Sequence, residues 1–459
     1  MKNPLLVPEL RELIETNQHD ALRAFCGDMH PATVAEMIGA LEPIEAWRVL
    51  RHLEPHLRSE IFSHLDEDTQ VEALSILSRR DAADMLADMP PDDRADLFKL
   101  LPEDRRDDIL PALAQAERED IRRLTSYEEG TAGSVMTSDY VMLSQDLTAQ
   151  QAIDRLREVA PDRETIYTAY IVDGKRRLQG FVSLKDLIVA RRDARVGDIM
   201  HTDVIHARVQ DDQEDAARKI QKYDLLALPV VNGGDALVGI ITHDDALDII
   251  TQEQTEDIEK LMAIGGSHEA GVYVKTTAWG HFKNRSLWVL MLAAFGLISG
   301  FIVQRFEDLL MEFTILAIFM PMVADTGGNT GSQSATLVVR ALALKEVAAK
   351  DVFRILWKEF RVSLMMGAVL ACVAFGRVML FSSESSMPTG VAASLVGVAI
   401  GLALGLQVVT STLIGVLLPM GAAKLKLDPA VVASPALTTF VDITGLLIFF
   451  GTARMFLGV

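Results

Sequence analysis

The sequence predicts a multi-domain chain of three architectures in series: an all-α N-terminal solenoid, a duplicated α/β module and an α-helical transmembrane domain. Three observations predict it. The chain has 459 residues and a formal net charge of −20, yet its mean hydropathy is +0.22. A soluble chain this acidic is hydrophilic on average, so the positive hydropathy requires long apolar runs. Residues 281–459 carry 13 Lys and Arg against 10 Asp and Glu, which leaves 31 basic against 54 acidic side chains before them. An acidic half at −23 is therefore joined to a nearly neutral apolar half at +3. The second observation is a twelve-residue repeat between 41 and 113, and the third is a strand and helix pattern that occurs twice between about 130 and 250. The acidity argues against nucleic acid as a partner. Two cysteines, Cys26 and Cys372, cannot build a disulfide framework or a thiolate zinc cluster.

The first region spans 1–130. Its N-terminus, with Lys2, Pro4 and scattered charges, does not read as a signal peptide. Leu41, Leu53, Leu65, Leu77, Met89, Leu101 and Leu113 recur every twelve residues. So do Leu50, Phe62, Leu74, Leu86, Phe98 and Leu110, and so do Val49, Ile61, Ala73, Met85, Leu97 and Ile109. Each unit fits a helix of two to three turns followed by a break, and the breaks at Pro43, Pro55, Pro90-Pro91 and Pro102 suit a helix first turn. One such unit cannot bury its apolar face alone, so the units are expected to stack.

The duplicated module follows, at 131–195 and 196–244. Its first copy reads Val135-Met136-Thr137, a helix at Ala149–Val159, then Ala169–Val172 and Gly180-Phe181-Val182-Ser183-Leu184-Lys185-Asp186. The second reads Asp198-Ile199-Met200-His201, a helix at Glu214–Gln221, then Ala227–Val231 and Gly239-Ile240-Ile241-Thr242-His243-Asp244-Asp245. This tandem resembles a pair of cystathionine-β-synthase (CBS) domains, regulatory modules that often bind adenine nucleotides between the copies. Ser183, Asp186 and Thr242, with Asp245, match the loop that commonly holds a ribose and phosphate, which would make ATP a cofactor. The alternative stands beside it: a Ser/Thr-x-x-Asp also caps the following helix, and the pair then only transmits motion.

Residues 245–280 read as an acidic helix leading through Gly265-Gly266 to the membrane. Asp245, Asp248, Glu253, Glu256, Asp257 and Glu259 crowd it, and Lys260 is the sole Lys or Arg from Asp244 to Val274. A charge run is by default a solvated face. Like charges this dense repel unless something positive visits, and a hard divalent cation suits carboxylate and water ligands.

The last region, 281–459, is expected to cross the membrane five times. Nineteen uncharged residues lie between Arg285 and Arg305, enough for about 30 Å of hydrocarbon. Phe313–Val339 holds one charge, Asp325; Val362–Ser383 one, Arg377; Ser385–Ala423 none, with Pro388 near its helix start; Pro429–Thr452 one, Asp442. Arg340, Lys345, Lys350, Arg354, Lys358 and Arg361 follow the second span, and Lys424 and Lys426 the fourth, whereas Ser382–Gly390 has no Lys. This bias puts the N-terminal half in the cytoplasm and the C-terminus outside. Ionisable residues within a span default to function. Asp442 sits mid-span, and Asp325 opens the run Asp325-Thr326-Gly327-Gly328-Asn329-Thr330-Gly331-Ser332-Gln333-Ser334, whose glycines are expected to loosen the helix around a wet cavity. Carboxylate, amide and carbonyl oxygens are hard ligands suited to Mg²⁺. Gly397, Gly401 and Gly405 favour close helix packing, within or between subunits.

The run Pro321-Met322-Val323-Ala324-Asp325 through Thr336 resembles the membrane signature of the MgtE family of magnesium transporters. So do Asp428-Pro429-Ala430 and Ser434-Pro435-Ala436-Leu437-Thr438-Thr439-Phe440-Val441-Asp442. The order of parts matches over nearly the whole chain. The resemblance implies a homodimeric, Mg²⁺-selective channel of the cell membrane, with Asp442 holding hydrated Mg²⁺ and Gly328, Asn329 and Asp325 on the same passage. It implies closure by cytosolic Mg²⁺ at Asp92 and Asp96, at Glu214 and Asp224, at Asp245, Asp248, Glu253, Glu256 and Asp257, and at Asp428. Asp92 and Asp96, one helical turn apart, could share an ion. A membrane protease would want His-Glu-x-x-His, which His268-Glu269-Ala270 does not supply, and a pump a Walker loop, which is absent from the sequence. The expectation is thus a non-enzyme, with a membrane-anchored sensor that does not conduct as the competing reading.

Overall fold

The structure is a computed structural model and describes residues 4–160, 163–266, 273, 276–381, 391–430 and 435–458. Ser382–Gly390 with Pro388, His268-Glu269-Ala270 and Ser434 lie outside the described residues. The chain divides into two compact units, Met1–Ile250 and Thr251–Val459.

The first unit opens with helices α1 (Val7–Glu15), α2 (His19–Gly27), α3 (Pro31–Ile38), α4 (Pro43–Leu50), α5 (Pro55–Ser63), α6 (Glu67–Ile76), α7 (Arg79–Asp88), α8 (Pro91–Leu100), α9 (Glu103–Ile109) and α10 (Gln115–Leu124). From α4 to α10 each helix begins twelve residues after the last, so the period of the sequence is the period of the helices. Each start has a cause. Proline opens α4, α5 and α8, where its missing N–H costs nothing. Asp66 and Ser78 cap α6 and α7 by accepting from the N–H groups of Thr69 and Asp81. Helices this short are marginal alone. Each therefore packs on the next but one: α3 on α5, α4 on α6, α5 on α7, α6 on α8, α7 on α9 and α8 on α10. The columns at Leu41 to Leu113 and Val49 to Ile109 are wholly buried. In the third column only Leu110 is partly exposed, because there the chain tightens into a 3₁₀ turn at Leu110–Ala112.

Stacking also buries helix C-termini, whose last carbonyls have no partner within the helix. Polar side chains from later helices supply one. Gln70 Nε2 donates to the carbonyls of Phe62, Ser63 and Leu65 at 2.7, 3.1 and 3.1 Å. Arg94 donates to those of Leu86 and Met89, each at 2.7 Å. Arg105 reaches those of Leu74 and Leu77 at 2.7 and 2.5 Å.

The two α/β copies comprise β1 (Val141–Leu143), α11 (Ala149–Val159), β2 (Thr168–Val172), β3 (Leu178–Ser183) and α12 (Leu184–Val189), then α13 (Val196–Ile199), β4 (Ala207–Arg208), α14 (Gln213–Tyr223), β5 (Ala227–Val231), β6 (Leu237–Thr242) and α15 (His243–Leu261). In each sheet the first strand runs parallel to the second and the second antiparallel to the third. The copies exchange their leading segments. Thr137 trades both backbone hydrogen bonds with Ile240 of β6, at 2.8 and 3.0 Å, and His201 does so with Phe181 of β3, at 2.8 and 2.9 Å. Val135–Thr137 therefore lies on the second sheet and His201 on the first, the reverse of their sequence order. Glycine permits the crossing: a methyl at Gly239 would lie 2.6 Å from Met136 Sδ, and one at Gly180 would lie 2.7 Å from the His201 carbonyl. The solenoid is docked on the second copy, since Ala95 of α8 and Leu124 of α10 share a core with Met136, Ile220, Ile241 and Ile249.

The second unit contains the end of α15 and then α16 (Ala278–Arg305), α17 (Glu307–Glu312), α18 (Thr314–Ala343), α19 (Val352–Phe381), α20 (Ala393–Lys424) and α21 (Pro435–Leu457). Among the described residues four stretches are long and apolar enough to cross a membrane: Ala278–Arg305, Ala349–Phe381, Ala393–Lys424 and Leu437–Leu457. The fifth expected span, α18, has the length, at 30 residues, but its Asp325–Ser334 run costs it hydropathy. That run does not loosen α18, which is helical throughout. Gly327 and Gly331 serve packing instead. Gly331 meets Gly415 of α20 backbone to backbone, and a methyl at Gly331 would lie 3.1 Å from the Ser411 carbonyl. The Gly397–Gly401–Gly405 face packs within the subunit, against Phe375, Ala371 and Gly367 of α19. α20 is thus the central helix, in contact with α18, α19 and α21.

Replacing Arg94 with Met strands the carbonyls of Leu86 and Met89 in a dry interior. A loss of about 2–3 kcal/mol of stability is expected, read as faster hydrogen exchange of the α7 and α8 amides.

Candidate cation sites

Docking of α8 on the second copy brings carboxylates together. Asp92, in the first turn of α8, has its Oδ1 shut off from solvent without a hydrogen-bond partner. Burial, then the charges of Asp245, Asp93 and Glu164, push its carboxyl well above the ordinary carboxylate range. Asp245, at the start of α15, is pushed up by burial and by Asp244 and Asp93, against the hydroxyl of Thr242, which holds the charged form. Glu164, on a loop, is exposed as a residue, yet burial of its carboxyl and the neighbouring Asp245 and Asp244 push it up to about 7. Asp248 is raised by burial and Asp244. The sequence gives Glu164 no local mark; only the fold places it here.

Asp92 and Asp96 have different charged neighbours. Asp96 Oδ1 takes a hydrogen bond from Lys99 at 2.8 Å, and burial, with Glu129 as neighbour, raises its pKa. Glu214 is ion-paired with Arg218, and Asp224 caps the far end of α14 in the left-handed conformation. An eleven-residue helix separates these two by about 15 Å, too far to share an ion within one chain. Among the described residues, no three His, Cys, Asp or Glu side chains stand where one metal ion could join them.

A second acidic group lies in the other unit. There Glu256 and Asp428 are brought together with a cation already between them: Lys260 Nζ is ion-paired with Glu256 and lies 3.0 Å from Asp428 Oδ2. Burial lowers the ammonium's pKa, but the hydrogen bonds it donates to Glu256 and Asp428 outweigh it and hold it above its ordinary value. Asp428 Oδ1 accepts from the N–H of Ala430 at 2.8 Å. One residue on, Leu261 packs against the cluster of Ala335, Val339, Ala430, Leu437 and Val441, so the end of α15 is held by an ion pair to the segment after α20 and by an apolar contact to the cluster that α18 and α21 build. Glu253 and Asp257 are half-buried on the same helix.

In the apolar half, Pro321, Asp325, Asn329 and Gln333 are exposed along one face of α18, four residues apart. Asn329 Nδ2 donates to the Asp325 carbonyl and Oδ1 at 2.9 and 3.1 Å. A methyl at Gly328 would meet nothing within 4 Å. Asp442 is half-buried on α21, which packs against α18 through Leu437 and Val441. Gln333 extends the stripe and is legible from its spacing alone. Glu359, outside the charge-free runs, accepts from Ser334 Oγ of α18 at 2.7 Å.

Ser183 and Asp186 form a capping box on α12, with Ser183 Oγ donating to Asp186 Oδ2 at 2.6 Å. Asp186 also lies 3.3 Å from His201 Nε2. Thr242 and Asp245 repeat the arrangement at the start of α15. The capping reading thus holds at both positions.

Comparison with known proteins follows the same divisions. A family model described as a divalent cation transporter, MgtE, matches residues 320–452; the MgtE intracellular N domain matches 29–130; CBS domains match 132–193 and 196–252. The magnesium transporter MgtE of Thermus thermophilus is 36% identical over 337 residues, 73% of this chain and 72% of that one. The Bacillus subtilis magnesium transporter MgtE is 34% identical over 73% of this chain and 72% of that one. A crystal structure of the soluble part of a magnesium transporter aligns with a TM-score of 0.51 at 34% identity, covering 54% of this chain and 97% of that one.

The carboxylates around Asp92 bind protons more tightly in the docked arrangement than free, so docking strengthens as pH falls. For Glu164 the window runs from about 7 down to the ordinary 4.5. In chelator, the protection of the α8 amides, their intrinsic exchange rate at each pH divided by the observed one, is expected to rise as pH drops from about 7 to 5, and Asp92→Asn to flatten that rise.

Proposed function

This chain belongs to the MgtE family of divalent cation transporters, and we propose that it passes Mg²⁺ between two copies of its membrane domain, at Asp442, and closes when cytosolic Mg²⁺ neutralises its acidic clusters. The transported ion follows from the family. One observation carries the residue assignment: a polar stripe of Asp325, Asn329 and Gln333 lies exposed on a helix of the apolar half, beside the helix that bears Asp442. Such a stripe cannot face lipid; it must be covered by another chain or line water. Covered by a second copy about a pore axis, it does both. Carboxylate and amide oxygens suit Mg²⁺, which sheds its water reluctantly and is best held through that water. Asp442 would bind the hydrated ion, with Gly328 leaving the passage open and Asn329 and Asp325 offering oxygen. The driving force is the membrane potential, about 4.6 kcal/mol per 100 mV for a divalent ion, twice the single-charge value. On this reading the acidic half is cytoplasmic, as the basic loops suggest, and the C-terminus is outside.

Gating rests on linkage: an ion that binds the closed form better favours it. Asp92 and Asp245 are carboxylates pushed up by burial and by neighbouring acids, and Asp248, exposed on the same helix as Asp245, is raised by burial and Asp244. A Mg²⁺ ion there would relieve their repulsion and hold the solenoid on the second CBS copy. Asp96, Glu214, Asp224, Glu253 and Asp257 would add further sites, completed by hydration water or a second copy. At Glu256 and Asp428 the protein supplies its own cation in Lys260, so Mg²⁺ must displace the ammonium. For the CBS pair we propose ATP as a modulator, with the paired caps at Ser183, Asp186 and Thr242 opening to take ribose and phosphate; calorimetric titration with ATP tests this.

Asp442→Ala is expected to abolish Mg²⁺ uptake in a magnesium-requiring strain, with the protein still present in the membrane; unchanged uptake would remove Asp442 from the pore. Lys260→Gln exposes two carboxylates at once. Flux at low internal Mg²⁺ should rise and the Mg²⁺ dependence of closure should steepen in patch or liposome assays. A curve superimposable on wild type would show that Lys260 does not stand in for the ion.

A further inference from the structure

The amide of Gln407 is wholly buried in the middle of α20, the central helix of the apolar half. Its Nε2 lies 2.9 Å from the carbonyl oxygen of Val441. Only an N–H can donate to a carbonyl, so this contact fixes which way the amide is turned. Val441 immediately precedes Asp442, and the same carbonyl accepts from Thr444 Oγ1 at 3.2 Å. In a helix it is also the acceptor for the N–H four residues on, so the backbone just before Asp442 is held from three directions. Two glycines make room for this amide. A methyl at Gly445 of α21 would lie 2.6 Å from Gln407 Nε2, and one at Gly327 of α18 would overlap it. The Oε1 atom is buried with no hydrogen-bond partner. An apolar side chain at 407 would avoid that cost, so the amide is kept for something other than stability.

We infer that Gln407 is a positioning residue for the ion passage: its amide, wedged between Gly327 of α18 and Gly445 of α21, ties α20 to α21 and sets where Asp442 stands. This rests on the reading that Asp442 holds the ion. A hydrated cation is recognised at a distance fixed by its water shell, so a shift of about 1 Å in the carboxylate changes how well the site fits one hydrated ion over another. A merely structural residue would change how much protein folds, not which ion it prefers.

The test is full-length protein in liposomes with a Mg²⁺-sensitive dye, reading the half-saturating Mg²⁺ concentration and the Mn²⁺ to Mg²⁺ flux ratio beside maximal flux. Gln407→Leu is expected to move the half-saturating concentration or the ratio at least threefold. Gly445→Ala, which leaves Gln407 in place but fills its seat, is expected to do the same, and it decides the matter if Gln407→Leu does not reach the membrane. Combining Gly445→Ala with Gln407→Ala should be no worse than Gln407→Ala alone, since the seat is then empty. Wild-type half-saturation and ratio in both single variants, with only maximal flux lowered, overturns the inference. Asp442→Asn in the same assay separates the two levels. If it transports like wild type, the pore reading fails. If it is inactive while Gln407→Leu is indistinguishable from wild type, only the positioning role fails.

Discussion

Carboxylates removed from water must find a positive charge or take up a proton, and both halves of this protein are organised around that constraint. Desolvation disfavours a bare carboxylate, and each neighbouring carboxylate adds to the cost. In the first unit Asp92, Asp245 and Glu164 answer it by being pushed toward protonation. Burial of Ala95 and Leu124 in the core of the second CBS copy brings Asp92 toward Asp245 and Glu164. The apolar contact holds the acids together and the acids push back. An interface so balanced is sensitive to any cation that enters it, which is what a sensor of divalent ions requires. At Glu256 and Asp428 the constraint is met internally by Lys260.

The solenoid and the membrane helices solve the same problem for neutral polar groups. Short stacked helices expose many C-terminal carbonyls to a dry interior, and Gln70, Arg94 and Arg105 satisfy them. In the membrane half, glycines bring α18, α19, α20 and α21 close enough for buried polar side chains to reach across. Thr330 and Ser411 share a hydrogen bond of 2.8 Å, and Gln407 reaches Val441. Polar residues on α18 thus divide by face. Thr330 and Ser334 are buried against neighbouring helices, while Asp325, Asn329 and Gln333 remain exposed. On the proposed reading, the exposed face is the one that would line the ion's path.

Much of this was legible in the sequence because it is local or periodic. The twelve-residue columns mark the helix starts of the solenoid, since each unit repeats the same packing problem. The strands and helices of the CBS copies follow from alternation and from Gly-apolar-apolar-Ser/Thr-x-x-Asp. The acidic helix and four apolar spans follow from composition. What the sequence left unread, or read otherwise, depended on a partner distant in the chain. Val135–Thr137 belongs to the first copy along the chain, and only the fold shows that it pairs beside Gly239 on the other sheet. Asp92 and Asp96 are one turn apart, and the fold gives them different charged neighbours, Asp245 and Glu164 for one and Lys99 and Glu129 for the other. The glycines of α18 suggest a broken helix, yet close packing against α20 keeps it whole.

The sequence by itself determined the order of the domains, the acidic and apolar halves, the family, and Asp442 as the carboxylate that most needs a reason to lie within a span. Each of these is written in residue type, spacing or charge along one stretch of chain. Only the tertiary structure decided that Asp92 meets Asp245 and Glu164, that Lys260 stands between Glu256 and Asp428, and that Gln407 grips the backbone beside Asp442. Those pairings join residues tens to hundreds of positions apart. Electrostatic and hydrogen-bond energies depend on distances in space, which a chain acquires only when its packing is complete.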